Sequence, residues 1–190
     1  MIHNTTPSTT DGHLPADYDA IGQASEQVRQ MLASQAPVGQ MLAHLATAAE
    51  TLAGDGSAAS ILVLDQAGLL RNGASPNLPS DYLQAIDRLK PDPAVGTCAA
   101  AAATGLVVIT PDFCADDKWA ELRHLPMALG FRGAWSMPIK SPLGQVLGTF
   151  GTYYRDNRSP TPREREGVER LASTAALVLA FRCASSSRGD

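Results

Sequence analysis

This chain lacks basic excess, long apolar runs and paired cysteines. Its formal net charge is −4 at pH 7 over 190 residues, so it has no basic face of the kind nucleic-acid binding needs. No apolar run approaches the roughly 20 residues of a membrane-spanning helix. Met1 to Gly12 carry neither the basic nor the apolar block of a secretory signal, so the expectation is a cytoplasmic protein. The three cysteines, Cys98, Cys114 and Cys183, are odd in number and show no C-x-x-C spacing. They read as thiols and not as a disulfide framework. His3, His13, His44 and His124 do not cluster by spacing, so no zinc site, and no cofactor of any kind, is expected. Catalytic signatures are missing too. Ser136 is followed by Met137 and Pro138, not by a glycine elbow. Asp17, Asp19 and the acids from Glu164 to Glu169 read as solvated helix faces.

What is present is periodicity and punctuation. Hydrophobic residues make up 44% of the chain, an ordinary share for one globular domain, although alanine supplies much of it. The expected organisation is a disordered tail over 1–15, an N-terminal helix over 16–36, a domain over 37–183 and a frayed tail over 184–190. Ile21, Val28, Met31 and Leu32 share a helical stripe. Pro37 starts a second helix, with Val38, Met41, Leu42, Leu45, Ala49 and Leu52 on one face and Gly54 as its stop. Ala58–Asp65 and Leu69–Ser75 form a hairpin about the turn Asp65–Gly68. Pro79–Leu89 is helical, with Tyr82, Leu83, Ile86 and Leu89 on one face. Gly96 and Gly105 bracket a short alanine helix, and Leu106–Thr110 is a strand. Asp116-Asp117 suits a helix start, Pro126 divides that segment into two short helices, and Gly130 ends it. Gly133–Ile139 and Val146–Tyr154 form a second hairpin, in which Gly148 and Gly151 mark close backbone packing. Thr161-Pro162-Arg163-Glu164 opens the last helix as a capping box. Val168, Leu171, Ala175, Val178 and Leu179 continue its stripe. Hairpins with helices between them indicate an α+β fold with a largely antiparallel sheet.

From Val38 to Phe181 the chain resembles a GAF domain. The segments that carry the resemblance are Ser60–Asp65, Val95–Cys98, Leu106–Asp112, Lys118-Trp119, Ala134–Ile139 and Val146–Phe150, followed by Tyr153-Tyr154-Arg155 and the capped final helix. The resemblance implies a central antiparallel sheet with the terminal helices on one face and the ligand-pocket helices on the other. In size and organisation the chain is similar to the stand-alone nitrate receptors of this family, which work beside a sensor kinase and hold an anion on backbone amides at a helix start. Gly96 leaves the N–H groups of Thr97, Cys98 and Ala99 without helical partners, a position suited to such a ligand. The expected ligand-binding residues are Thr97, Cys98, Ala99, Ile109, Trp119, Arg123, Trp135, Met137, Pro138 and Ile139. Arg123 and Arg132 are placed to pair with an anion. The ligand is a small molecule or an anion such as nitrate, and output runs through a homodimer of the terminal helices to a sensor kinase or other signalling protein. On this reading a charge at Leu171 or Val178 weakens the dimer.

Two alternatives stay open. The free methionine-(R)-sulfoxide reductases of this family carry a cysteine after a Gly-Val pair, much as Cys98 follows Gly96-Thr97, and Cys98 with Cys114 would supply the two thiols. Their principal cysteine leads into the strand that here holds Trp135, where this chain has Leu129–Gly133 and no cysteine. The other alternative is a dimerisation module with a collapsed pocket, in which Cys98 is a small buried thiol, the tryptophans are core and the arginines are solvated.

Overall fold

The computed structural model describes residues 16–186, with side chains from 20 to 181. The tail expected over 1–15 lies outside the described residues. Two helices, α1 (Ala16–Ala33) and α2 (Val38–Ala53), precede the hairpin β1 (Ala58–Leu64) and β2 (Leu70–Ala74). Two short helices follow, α3 (Ser80–Ala85) and α4 (Thr97–Thr104), then β3 (Val108–Thr110). A 3-10 turn at Asp117–Trp119 and α5 (His124–Ala128) lead into β4 (Gly133–Lys140), β5 (Val146–Tyr154) and α6 (Pro162–Ser186). The five strands form one sheet in the order β2-β1-β5-β4-β3, antiparallel throughout. Among the described residues no helix is long and apolar enough to cross a membrane.

The sheet is covered on both faces. α1, α2 and α6 lie on one, where Ile21, Val28, Met41, Leu45, Val168, Leu171, Ala175 and Val178 join Ile61, Trp135, Ile139, Phe150 and Tyr154 in a single buried cluster. Leu171 and Val178 are both 0% exposed within this one chain. They therefore hold α6 on its own sheet and do not face a partner, which corrects the expectation for them. α6 also continues to Ser186, through the first residues of the expected tail. Its start is the capping box read from the sequence: Glu164 N donates to Thr161 Oγ1 (3.2 Å) and Thr161 N to Glu164 Oε2 (2.7 Å). Glu164 itself is buried, not on a solvated face, because both carboxylate oxygens are occupied there.

The opposite face carries α3, α4 and the segment around Trp119. Two boundaries differ from expectation here. β3 is three residues long, and Pro126 sits inside α5 without dividing it. As the third helical residue, Pro126 lacks an N–H that would have had no intrahelical acceptor. α3 is anchored from the other layer. Glu50 of α2 is buried and accepts from Ala59 N at 2.9 Å and from Asn77 Nδ2 at 2.6 Å. Asn77 lies in the turn that launches α3, so one carboxylate ties α2, the start of β1 and that turn together.

Candidate ligand site beneath helix α4

α4 begins at a sharp turn. Gly96 has φ 49°, a left-handed value that favours glycine, and its N–H donates to Lys118 O at 2.8 Å. No side chain caps the helix. Its first turn lies over the sheet and closes a cavity of about 20 Å³. Leu62 and Tyr153 line that cavity from the sheet, and Tyr82, Ile86 and Leu89 from α3 and the chain after it. Val95 to Ala99, Trp119 and Leu122 complete it. A space of roughly 10–15 Å³ holds one water, so this cavity has room for little more.

Hydroxyls and a thiol lie under the helix. Ser136 Oγ donates to Thr97 Oγ1 at 2.9 Å and lies 3.1 Å from Cys98 Sγ. The Ser136 proton is committed to Thr97, so the thiol is the donor in the second contact. Burial pushes the Cys98 thiol up, against the opposing pull of the hydroxyls of Ser136, Thr149, Ser60 and Thr97. A Cβ built on Gly151 would stand 3.0 Å from both Cys98 Sγ and Ser60 Oγ, and this is why β5 carries glycine at that point. Tyr82 OH donates to Tyr153 OH at 3.1 Å, a latch between α3 and the sheet. Burial raises both phenols, so both are protonated at neutral pH. Trp119 packs on Phe113 with ring centroids 4.3 Å apart, and its Nε1 is buried with no hydrogen-bond partner among the described residues.

The structure brings together only some of the residues named from the sequence. Thr97, Cys98, Ala99 and Trp119 line the cavity. Arg123 does not; its backbone N–H donates to Trp119 O at 2.7 Å and its side chain lies outside the wall. Trp135, Met137 and Ile139 point the other way, into the cluster under α1, α2 and α6. Ile109 sits opposite Trp135 in register and packs against that same cluster. Pro138 pairs with Thr149, farther along the sheet in a separate groove with Gly105, Leu106 and Lys140. The reason is strand parity: one step along β4 changes the face. Reasoning from the sequence missed Tyr82, Ile86, Leu122 and Tyr153 as pocket residues.

Residues 35–180 match the family model described as the GAF domain. The chain belongs to the GAF domain family. It is 32% identical over 125 residues, 65% of its own length, to the methyl sulfide methyltransferase-associated sensor of Methanosarcina acetivorans. It spans 12% of that protein. The GAF domain of an Acinetobacter phosphoenolpyruvate-protein phosphotransferase superposes with a TM-score of 0.73 at 12% identity, covering 92% of this chain and 99% of that one. The free methionine-R-sulfoxide reductase of Neisseria meningitidis, solved with its substrate, superposes with a TM-score of 0.69 at 14% identity, over 97% and 98% of the two chains. At these identities the likeness is one of fold.

Within this GAF domain the two described thiols are separately placed. Cys98 is sealed beneath α4, whereas Cys114 is exposed and its thiol contacts Met127 Sδ at 3.8 Å. Thiolate chemistry requires access and a low pKa, and Cys98 has neither. In the folded protein iodoacetamide is expected to alkylate Cys114 within minutes and Cys98 more than tenfold more slowly, read by peptide mass mapping. Equal labelling of the two would mean that α4 lifts freely from the sheet.

Proposed function

We propose that this GAF domain is a non-enzymatic sensor. A small ligand binds between the sheet, the start of α4 and Trp119, and a partner protein reads the change in the helical layer. The observation that carries this reading is the uncapped start of α4 over a buried cavity whose wall includes an indole N–H without an acceptor. Such a place offers hydrogen bonds to a ligand oxygen, and an anion such as nitrate belongs to that class. The cavity has room for little more than one water, so a larger ligand has to displace a covering segment, and on this reading α3 moves and the Tyr82–Tyr153 latch breaks. Through Asn77 and Glu50 that movement reaches α2, and α2 packs against α6. The ligand then shifts the population between two arrangements of the terminal helices. The sensor named as a relative supports this class of role.

Output through a homodimer would use the outer side of α6, where Leu177 is 49% and Phe181 41% exposed. A sensor kinase is the fitting kind of partner. The reductase reading needs an attacking and a resolving thiol within reach of each other, and the burial of Cys98 weighs against it.

Native mass spectrometry of the full chain tests the proposal, before and after nitrate and a panel of small metabolites are added. The expected result is a dimer that gains one discrete mass per protomer, and Leu177→Glu is expected to return it to a monomer. A mass unchanged across the whole panel would overturn the sensor reading in favour of a ligand-free module.

A further inference from the structure

The polar groups around the cavity are donors, and none of them is charged. Thr97 Oγ1 accepts from Ser136 and so keeps its own hydrogen to give. Tyr153 OH likewise accepts from Tyr82 and keeps its hydrogen. Trp119 is 4% exposed, and its Nε1 has no partner among the described residues. Its Cζ2, the ring carbon next to the one bonded to Nε1, lies 3.7 Å from where a Cβ on Gly96 would stand. Its Cη2 lies 3.8 Å from the same point, so the benzo edge of the indole, next to the N–H, borders the turn that opens α4. The N–H groups of the first turn add to this set. The rest of the wall is apolar: Leu62, Ile86, Leu89, Val95 and Leu122.

The indole and first-turn amides only donate and the two hydroxyls have a hydrogen to give, so the wall suits a ligand oxygen that accepts, and charge decides between the two kinds of acceptor. No lysine or arginine lines the cavity. The covering segments, residues 79–132, hold seven carboxylates against five lysines and arginines. One of those cations, Lys118, is already paired with Asp116 at 2.8 Å. An anion entering here loses its hydration without gaining a counter-charge, and it passes carboxylates on the way. A neutral acceptor gains the same hydrogen bonds and avoids both costs.

We infer that the site takes an uncharged ligand, a carbonyl or sulfoxide oxygen on an apolar body, with the oxygen held between Trp119 Nε1, the Thr97 hydroxyl and the first-turn amides of α4. The inference rests on the sensor reading of the same site and narrows its ligand to the neutral member of the acceptor class.

The test uses the full-length chain with its indole nitrogens labelled. The two tryptophans give two indole N–H resonances, assigned with Trp119→Phe. Trp135 serves as an internal control because its Nε1 already donates to Tyr154 OH at 2.8 Å. Two probe pairs of matched shape are titrated at pH 7, acetone against acetate and acetophenone against benzoate; both acids are ionised there. The expected result is a saturable downfield shift of the Trp119 proton with the ketones, at least about tenfold tighter than with the matching acids, while Trp135 stays still. Thr97→Val is expected to weaken ketone binding several-fold while leaving the fold intact. If the acids bind as well as the ketones or better, the neutral-ligand inference falls and the sensor reading stands. If no probe of either pair moves Trp119, the neutral-ligand inference falls, and the sensor reading is decided by the metabolite panel described above.

Discussion

Leu171→Asp is expected to leave the chain unfolded at 25 °C, whereas Leu177→Asp, six residues along the same helix, is expected to leave the protomer folded, its stability changed by no more than about 0.5 kcal/mol apart from the loss of the proposed dimer contact. Leu171 is 0% exposed, in the layer between α6 and the sheet. Removing a buried leucine side chain costs about 2–5 kcal/mol. An unpaired carboxylate put in its place adds several more, because no cation in that apolar cluster can compensate it. Domains of this size have only about 5–15 kcal/mol to lose. Leu177 faces outward, and a charge there meets water. Urea melts of the two variants followed by circular dichroism decide the matter. A Leu171→Asp protein that keeps a cooperative transition and merely halves its mass would place Leu171 at a subunit interface and contradict the packing described above.

That contrast also marks what the sequence makes legible. The stripe through Val168, Leu171, Ala175 and Val178 shows that α6 has a buried face, but periodicity does not say what buries it. A sheet of its own chain and the helix of a second copy leave the same pattern. The starts and stops are legible because their causes are local: the Thr161–Glu164 box, Gly54 closing α2, Gly96 and Gly105 on either side of α4. β5 is visible to the residue for the same reason, since turn residues bound it on both sides.

The faces of β4 are not legible. Gly133 to Ile139 are buried without a break, because helices cover both sides of the sheet, and no polar alternation tells inside from outside. Trp135 therefore looked as suitable for the pocket as Trp119, although its indole reaches Tyr154 in the other layer. By local pattern Tyr82 belongs to a helix stripe and Tyr153 to a strand. What makes them pocket residues is a hydrogen bond across 71 positions of sequence, and no local pattern encodes that. Glu164 was misplaced for a related reason. Its capping role is local, but its burial depends on Arg158, Tyr154 and the end of α2.

Arg158→Ala is expected to cost roughly 2–3 kcal/mol at pH 7 and to flatten the acid side of the stability profile. Arg158 grips both oxygens of Glu164, Nη2 to Oε1 at 2.8 Å and Nη1 to Oε2 at 2.9 Å. Its Nη2 also donates to Ala53 O at 3.0 Å, at the end of α2. Its guanidinium carbon lies 3.6 Å from the centre of the Tyr154 ring. Tyr154 OH in turn donates to Glu164 Oε1 at 3.1 Å and accepts from Trp135 Nε1. One arginine thus joins α2, the sheet and the first turn of α6. Its removal leaves a buried carboxylate with only the Tyr154 and Thr161 donors, which accounts for an effect below the usual 3–5 kcal/mol for a broken buried pair. Burial by itself raises the Glu164 carboxyl, but the Arg158 hydrogen bonds and then the Thr161 amide and hydroxyl outweigh it and hold it below its usual value. A carboxyl depressed in the folded state stabilises fully above its unfolded pKa, near 4.3. That contribution disappears as pH falls through the lower folded value. Urea melts from pH 7 down to pH 3 are therefore expected to show wild type and Arg158→Ala far apart at pH 7 and converging below about pH 4. A gap that stays constant across that range would mean that Arg158 acts through its packing on Tyr154 and its bond to Ala53, and not through the charge of Glu164.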